Sequence, residues 1–155
     1  MVSNSYSVIV RVVHTTFIII FLIVKIYKYI PLFWNQFKMR NRCRMKINEK
    51  NKISFLDKGK NWHKLYNKSI SMVLTNFRSG VKKNDLDSSY TLKIKKDGSI
   101  LEVIHELAHI KNGDCEEHLN NSLSFAISLA WSYITIFEPR AIQAEIDYFE
   151  QQRGI

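Results

Sequence analysis

The segment from residue 97 to 113 constrains the fold of this chain most, because it carries the start, the period and the end of a helix. It opens with an Asp-Gly turn dipeptide. Ser99 follows, with Glu102 three residues later, which is the capping-box pattern of a helix N-terminus. The segment closes with an Asn-Gly stop that ends at Gly113. The sequence therefore predicts a helix over residues 100–112.

The middle of this predicted helix carries two histidines, His105 and His109, with Glu106 directly after the first. Side chains four residues apart lie on one face of an α-helix, so both imidazoles can bind the same metal ion. Glu106 can then act as a general base on a water molecule that the metal polarises, without being a ligand. Apolar residues form a neighbouring stripe that buries the helix and leaves the two histidines facing a cleft.

A strand is predicted directly before this helix. Residues 90–95 (Tyr-Thr-Leu-Lys-Ile-Lys) alternate between apolar and polar side chains, as in a half-buried strand. A strand that leads by a tight turn into a helix indicates an α+β domain with a small sheet.

Leu101 to Gly113, LEVIHELAHIKNG, resembles the active-site helix of the H-E-x-x-H zinc metallopeptidases, the zincins. The resemblance implies that His105 and His109 bind Zn²⁺ and that Glu106 activates water. In zincins a third ligand comes from farther along the chain, and in gluzincins it is a glutamate on a second helix. The motif also resembles that of membrane-embedded gluzincins such as the CAAX-prenyl endopeptidase and heat-shock membrane protease families. The resemblance covers about residues 90 to 150.

Glu138 is the first candidate for the third ligand, because the segment that it begins, Glu-Pro-Arg-Ala, is similar to the E-x-x-A segment of several gluzincin-like families. Thr135 to Glu138 is also a possible capping box for a second helix. The membrane gluzincins carry E-x-x-A-D, and this chain departs from that pattern because Gln143 precedes Asp147 at the ligand position. Glu145 and His118 are the alternative third ligands.

The net charge of +9 is concentrated between residues 25 and 64, where twelve Lys and Arg residues against only Glu49 and Asp57 give a local balance of +10. The densest part, Lys38 to Lys46, follows the most hydrophobic segment of the chain, Val8 to Val24. This adjacency predicts a membrane anchor in residues 1–37, a basic juxtamembrane linker in residues 38–47 and a zincin-like domain in residues 48–155. The positive-inside rule then predicts a single-pass protein with its catalytic domain in the cytoplasm.

Other interpretations of the N-terminal segments remain open. The hydrophobic segment could be a buried core helix followed by a solvated basic loop. The basic run could bind nucleic acid, but its position beside an apolar segment favours anionic lipid. The two cysteines, Cys43 and Cys115, are too few for a disulfide framework and are typical of a reducing compartment.

The remaining segments are predicted to form scaffold. Ile53 to Leu56 is a possible strand, and apolar residues at helical spacing predict a helix that Asn61 caps and that ends near Ser79. Leu119 to Phe137 is strongly apolar, which predicts a buried helix behind the active helix, with a second membrane segment as the alternative.

These patterns together predict a zinc-dependent metallopeptidase that acts on a peptide or protein substrate. The first alternative is a truncated or inactive zincin-like domain that serves as a membrane-tethered binding or regulatory module. The second is a basic membrane-surface adaptor in which the H-E-x-x-H motif is accidental. The sequence carries no information on the oligomeric state.

Overall fold

A computed structural model of the chain describes residues 3–84, 86–115 and 131–154, with few side chains described between residues 3 and 26. By their contacts the residues form two compact units, Met1–Pro31 and Leu32–Ile155. The sheet and the candidate site belong to the second unit. The described elements are α1 (Ser3–Arg42), α2 (Lys52–His63), β1 (Ile70–Thr75), β2 (Gly80–Lys83), β3 (Tyr90–Lys95), α3 (Ile100–Asn112), a π-helical turn (Tyr133–Phe137) and α4 (Glu138–Arg153).

The predicted α+β class is confirmed, and α3 and β3 have the predicted bounds. The Ser99 N–H donates to the Glu102 carboxylate at 3.3 Å at the start of α3. Gly113 ends the helix in the left-handed region at φ 76°, a conformation that glycine adopts without steric cost. Local capping signals were sufficient here because they agree with the burial of one apolar face.

The sheet has three strands in the order β1-β3-β2, with β1 parallel and β2 antiparallel to the central strand β3. Tyr90, Leu92 and Ile94 are buried on one face of β3. They belong to the same core cluster as the apolar residues of α3. The sheet and α3 thus share one hydrophobic core.

Two predicted scaffold elements are wrong. The segment Ile53 to Leu56 lies in α2 and is not a strand, because the residues that α2 buries (Phe55, Leu56, Gly59 and His63) follow the helical period. The sequence predicted a helix from Asn61 to near Ser79. In the structure α2 ends at His63, and residues 70–75 form the strand β1, which pairs with every residue of β3. Phe77, which lies near the end of that predicted helix, is 82 % exposed. The apolar spacing of this segment favours a helix, but pairing with β3 outweighs that local preference.

Gly59 allows α2 to pack closely on α3. A Cβ atom at this position would lie 2.5 Å from Cδ1 of Leu107 and 3.3 Å from Cγ1 of Val103. Both of these side chains are fully buried. The close approach of the two helices therefore requires the absence of a side chain at residue 59.

Residues 38–47, predicted as a linker, belong to the folded unit Leu32–Ile155. Met39, Cys43 and Ile47 are buried in its core. The backbone N–H of Ile47 donates to the carbonyl oxygen of Gly98 at 2.8 Å, which ties the segment to the turn before α3. The charged residues of this segment are interleaved with core residues, and all of them are exposed on the surface of the folded region except Arg40, which is partly buried.

The helix α4 follows a π-helical turn instead of the predicted cap. Thr135 lies inside that turn, where its hydroxyl donates to the carbonyl oxygen of Trp131 at 2.8 Å, so the capping box from Thr135 to Glu138 is wrong. Pro139 occupies the first turn of α4, directly after the π-helical turn, and its ring nitrogen cannot donate a hydrogen bond to that turn. Of the predicted helix from Leu119 to Phe137, residues 119–130 lie outside the described residues.

Among the residues that the structure describes, none of the helices combines the length and the apolar character needed to cross a membrane. Val8 to Val24 is the hydrophobic segment of the predicted anchor, and most of its side chains lie outside those that are described. Membrane attachment remains a prediction from the sequence.

Candidate metal centre

Three potential ligands converge where α3 packs against α4. His105 and His109 lie one turn apart on α3, and Glu138 is the first residue of α4. One ligand atom from each residue lies within 4.8 Å of the other two. The structure therefore brings together the three residues that the sequence selected as the first choice of metal ligands.

The separations between these atoms suit a tetrahedral metal ion. The two Nε2 atoms are 3.2 Å apart, and the Glu138 carboxylate lies 3.3 Å from Nε2 of His105 and 3.8 Å from Nε2 of His109. Ligands about 2.0–2.1 Å from a tetrahedral ion lie about 3.3 Å from one another. The residues present thus fit a zinc ion with little rearrangement.

Each histidine is oriented by a carboxylate on its other ring nitrogen. Nδ1 of His105 lies 2.7 Å from Oε1 of Glu145, and Nδ1 of His109 lies 2.9 Å from Oδ2 of Asp114. Because an ionised carboxylate accepts only, each Nδ1 carries the proton. In the neutral rings both Nε2 lone pairs then point toward the Glu138 carboxylate. The two Nε2 lone pairs and the Glu138 carboxylate are all acceptors. They require a cation between them, which is either a metal ion or a proton on one of the rings.

Glu145 is held by two residues of α1. Its side chain is 0 % exposed and accepts two bonds from Arg40, 2.9 Å from Nε and 2.6 Å from Nη2. The Gln36 amide donates a further bond at 2.6 Å. Burial raises the pKa of Glu145, but the bonds from His105 and Arg40 outweigh burial and hold the pKa below its usual range. Glu145 therefore remains an ionised acceptor for His105.

The histidine and glutamate ligands also polarise one another. Burial lowers the pKa of His105, but contact with Glu138 and Glu145 outweighs burial and raises this pKa to about 9. Burial raises the pKa of Glu138, but contact with His105 lowers it to about 2. Without a metal ion, a proton on His105 thus supplies the cation that the acceptors need, and a bound metal ion would replace that proton.

Glu106 lies in the same cleft and is nearly buried, at 8 % exposed. Burial raises its pKa to about 7, and the charge of His105 opposes this rise. A carboxylate with a pKa near 7 accepts and returns a proton readily at neutral pH. Glu106 has the environment that a general base needs.

Tyr133, from the π-helical turn, completes this side of the centre. Its ring stacks on His109 at a centroid distance of 5.7 Å, and its hydroxyl donates to the Glu138 carboxylate. Burial and the charge of Glu138 raise the pKa of Tyr133, so its hydroxyl stays protonated as a donor. Tyr133 therefore supplies a hydrogen-bond donor beside the three potential ligands.

The centre opens into a cleft of about 1180 Å³. The last turns of α1, the strand β2, the turn before α3 and α3 itself form its walls. The cleft is large enough for a peptide segment and is lined by charged, polar and aromatic side chains.

Glu145 and His118 were the predicted alternatives to Glu138 as the third metal ligand. Glu145 contacts the Nδ1 side of His105, on the opposite side of the ring from the cluster, and His118 lies outside the described residues. Sequence reasoning missed Arg40 and Gln36, because nothing local in a basic helix indicates contact with a residue more than 100 positions away. Asp114, five residues after His109, orients the ring of His109 through its Nδ1 atom.

No protein-family model matches this chain, and neither a curated protein nor a solved structure matches it. The case for a function therefore depends on the geometry of the site.

Proposed function

We propose that this chain is a zinc-dependent metallopeptidase of zincin-like architecture. The observation that carries the proposal is the convergence of His105, His109 and Glu138 within 4.8 Å of one another, beside the buried carboxylate of Glu106. Two imidazoles and one carboxylate form the donor set of many catalytic zinc sites, in which a fourth position is left for water or substrate.

Bound zinc would supply a Lewis acid that polarises the scissile carbonyl and lowers the pKa of a water molecule. Glu106 removes a proton from the attacking water as the new C–O bond forms. It then delivers that proton to the amine nitrogen as the C–N bond breaks. Glu145 and Asp114 keep the Nε2 atoms of both histidines directed at the centre.

The edge strand β2 favours a peptide as the substrate. β2 is bonded to β3 on one side and lies at the edge of the described sheet, and Gly80, Val81 and Lys83 of this strand line the cleft. An extended peptide can pair with such an edge through main-chain hydrogen bonds, which places it alongside α3. The substrate class proposed is therefore a peptide or an unfolded protein segment.

Zinc analysis and peptide hydrolysis with matched variants test the proposal. We expect one zinc per chain in the wild type and its loss in His105→Ala, because two remaining ligands hold the ion poorly. Glu106→Gln should retain zinc and lose about 10²–10⁴-fold in hydrolysis rate, since it removes only the base. Glu150→Gln makes the same isosteric exchange at an exposed position of α4 and should change neither property.

Two results would contradict the proposal in different ways. Loss of zinc from Glu106→Gln as readily as from His105→Ala would show that the roles are assigned wrongly. Stoichiometric zinc in the wild type with no hydrolysis of any peptide would favour the inactive, membrane-tethered binding module.

A further inference from the structure

Four exposed cations from three separate parts of the chain line the cleft near the turn between β3 and α3. They are Lys46, Arg78, Lys95 and Lys96, and together they are called the basic cluster below. Within the part of the chain that the structure describes, none of the four forms an ion pair. Charges of one sign grouped at one end of a cleft create a potential that attracts anions.

Backbone pairing and one serine hold the basic cluster together. Gly80, the first residue of β2, pairs with Lys93 in the sheet, and Arg78 lies two residues before Gly80 in the chain. The Ser79 hydroxyl accepts the N–H of Lys95 at 3.0 Å and donates to Glu102 at 2.7 Å. Lys46 forms an isolated bridge with Ser99 at the start of α3. Main-chain hydrogen bonds therefore fix the backbone at Lys46, Lys95 and Lys96, and Arg78 adjoins Ser79, which bonds to Lys95.

The carboxylates at this end of the cleft do not neutralise the basic cluster. Glu102 bonds to Ser79 and to the Ser99 N–H. The turn between β3 and α3 contains one carboxylate, Asp97, which is exposed. Four cations thus face two carboxylates, one of which is already engaged.

The basic cluster lies close to the metal centre along α3. Glu102, which contacts the cluster through Ser79, precedes His105 by about one helical turn of 5.4 Å. The positive charge of Arg78 also lowers the pKa of Tyr133, in opposition to burial, so Arg78 lies within electrostatic reach of the centre. An extended peptide rises about 3.3 Å per residue, so one helical turn along α3 corresponds to about two residues of such a peptide.

We propose that the basic cluster is a subsite for acidic side chains, so that the cleft selects peptides that carry Asp or Glu within a few residues of the scissile bond. The inference rests on the proposed peptidase function for the meaning of that bond, but the binding preference can be measured without turnover. Carboxylate side chains suit the cluster because they supply the counter-charge that it lacks and because an extended peptide fits the edge strand β2.

Binding to the zinc-loaded full-length Glu106→Gln chain measures the preference directly. The probes are three fluorescein-labelled peptides of the same length that carry three Glu, three Gln or three Lys at identical positions. Fluorescence anisotropy should show the Glu peptide bound about tenfold more tightly than the Gln peptide and the Lys peptide bound most weakly. The double substitution Arg78→Gln with Lys95→Gln should reduce the Glu preference to about twofold.

A matched double variant controls for the net charge of the chain. Lys50→Gln with Lys111→Gln removes the same charge at exposed positions outside the cleft and should keep the tenfold preference. An equal loss in both double variants would overturn the inference, because the preference would then reflect net charge alone. If the Arg78 and Lys95 double variant does not fold by circular dichroism, Arg78→Gln alone should lower the preference about threefold.

Two further outcomes separate this inference from the proposed function. Hydrolysis of the three peptides by the wild type at equal rates and affinities overturns the acidic subsite and leaves the peptidase proposal standing. A Glu preference without hydrolysis supports the subsite and contradicts the peptidase proposal. Tighter binding of a single-stranded DNA 20-mer through Arg78 and Lys95 would assign the cluster to nucleic acid and overturn the inference.

Discussion

At the scale of single residues, the centre depends on one carboxylate that is not a ligand. Glu145 is fully buried and contacts His105, Arg40 and Gln36 at once. Burial of an ionised carboxylate is costly unless paired charge and hydrogen bonds compensate for it. Arg40 supplies the charge through two parallel bonds, which fixes the carboxylate and, through it, the ring of His105.

Replacement of Arg40 should therefore weaken metal binding without touching a ligand. We expect Arg40→Met to lower zinc affinity about 10–100-fold, because Glu145 loses its counter-charge and no longer holds the Nδ1 proton of His105 firmly. Competition with a chelating dye, well below the unfolding temperature, measures the affinity. Arg42→Met, an exposed position on the same helix, is the matched control and should bind zinc as the wild type does. Equal affinities for the two variants would refute this role of Arg40.

A second prediction at this scale concerns His63, which is 4 % exposed. Its Nε2–H donates to the carbonyl oxygen of Ile104 at 2.9 Å, and its Nδ1 has no hydrogen-bond partner among the residues that the structure describes. Burial lowers the pKa of His63 from 6.5 to about 4, and the charge of Lys111 adds to this effect. The folded protein therefore keeps this ring neutral at pH values where the unfolded chain protonates it.

The pH dependence of stability follows from this difference. Above pH 6.5 both states are neutral at His63 and the contribution is fully present. As the pH falls toward 4, the unfolded chain binds a proton that the folded protein excludes, so about 3 kcal/mol is lost. Urea unfolding of the metal-free protein at pH 7 and pH 4.5 should show a smaller loss for His63→Gln than for the wild type. An identical loss in both proteins would contradict the prediction.

At the scale of elements, the position of α3 is set by its neighbours on three sides. The sheet, α2 and α4 all pack against it, and its residues from 100 to 110 are buried except Glu102. The histidines lie on the side toward α4, while Leu107 and Val103 face Gly59 of α2. Close packing of α2 therefore holds the helix that carries the motif.

Addition of one methyl group to Gly59 should disturb this packing. Gly59→Ala places Cβ 2.5 Å from Leu107, which is buried and has little room to move. We expect a loss of about 1–3 kcal/mol from overpacking, partly offset by up to about 1 kcal/mol of improved helix propensity. Gly80→Ala, where a Cβ meets nothing within 4 Å, is the control. Chemical unfolding measures both, and a Gly59→Ala variant at least as stable as the wild type would contradict the packing argument.

At the scale of the whole molecule, the folded unit that holds the centre begins before the predicted domain boundary at residue 48. The last turns of α1 supply Arg40 and Gln36 to the centre and Met39 and Cys43 to the core. The segment that was predicted as a linker is thus part of the machinery that orients a ligand.

Two truncations should distinguish these boundaries. Residues 32–155 should fold and bind zinc, whereas residues 48–155 should be destabilised by several kcal/mol, since each buried apolar side chain contributes about 1.5–3 kcal/mol. Thermal unfolding and zinc titration of the two fragments provide the test. Equal stability and affinity would mean that the end of α1 is dispensable. Fractionation of the full-length chain against residues 32–155 also tests the predicted membrane anchor, because only the full-length chain should require detergent.

The sequence by itself determined α3, β3 and the identity of the paired histidines, because capping, alternation and a four-residue spacing act between neighbours in the chain. It narrowed the third ligand to Glu138 and Glu145 or His118, but only the packing of α4 places Glu138 at the cluster and Glu145 behind His105. The conversion of residues 70–75 from a predicted helix into a strand, the bond from Arg40 and the gathering of the basic cluster were likewise decided by the tertiary structure. Each of these depends on contacts between residues far apart in the chain, and such contacts leave no local period or cap in the sequence.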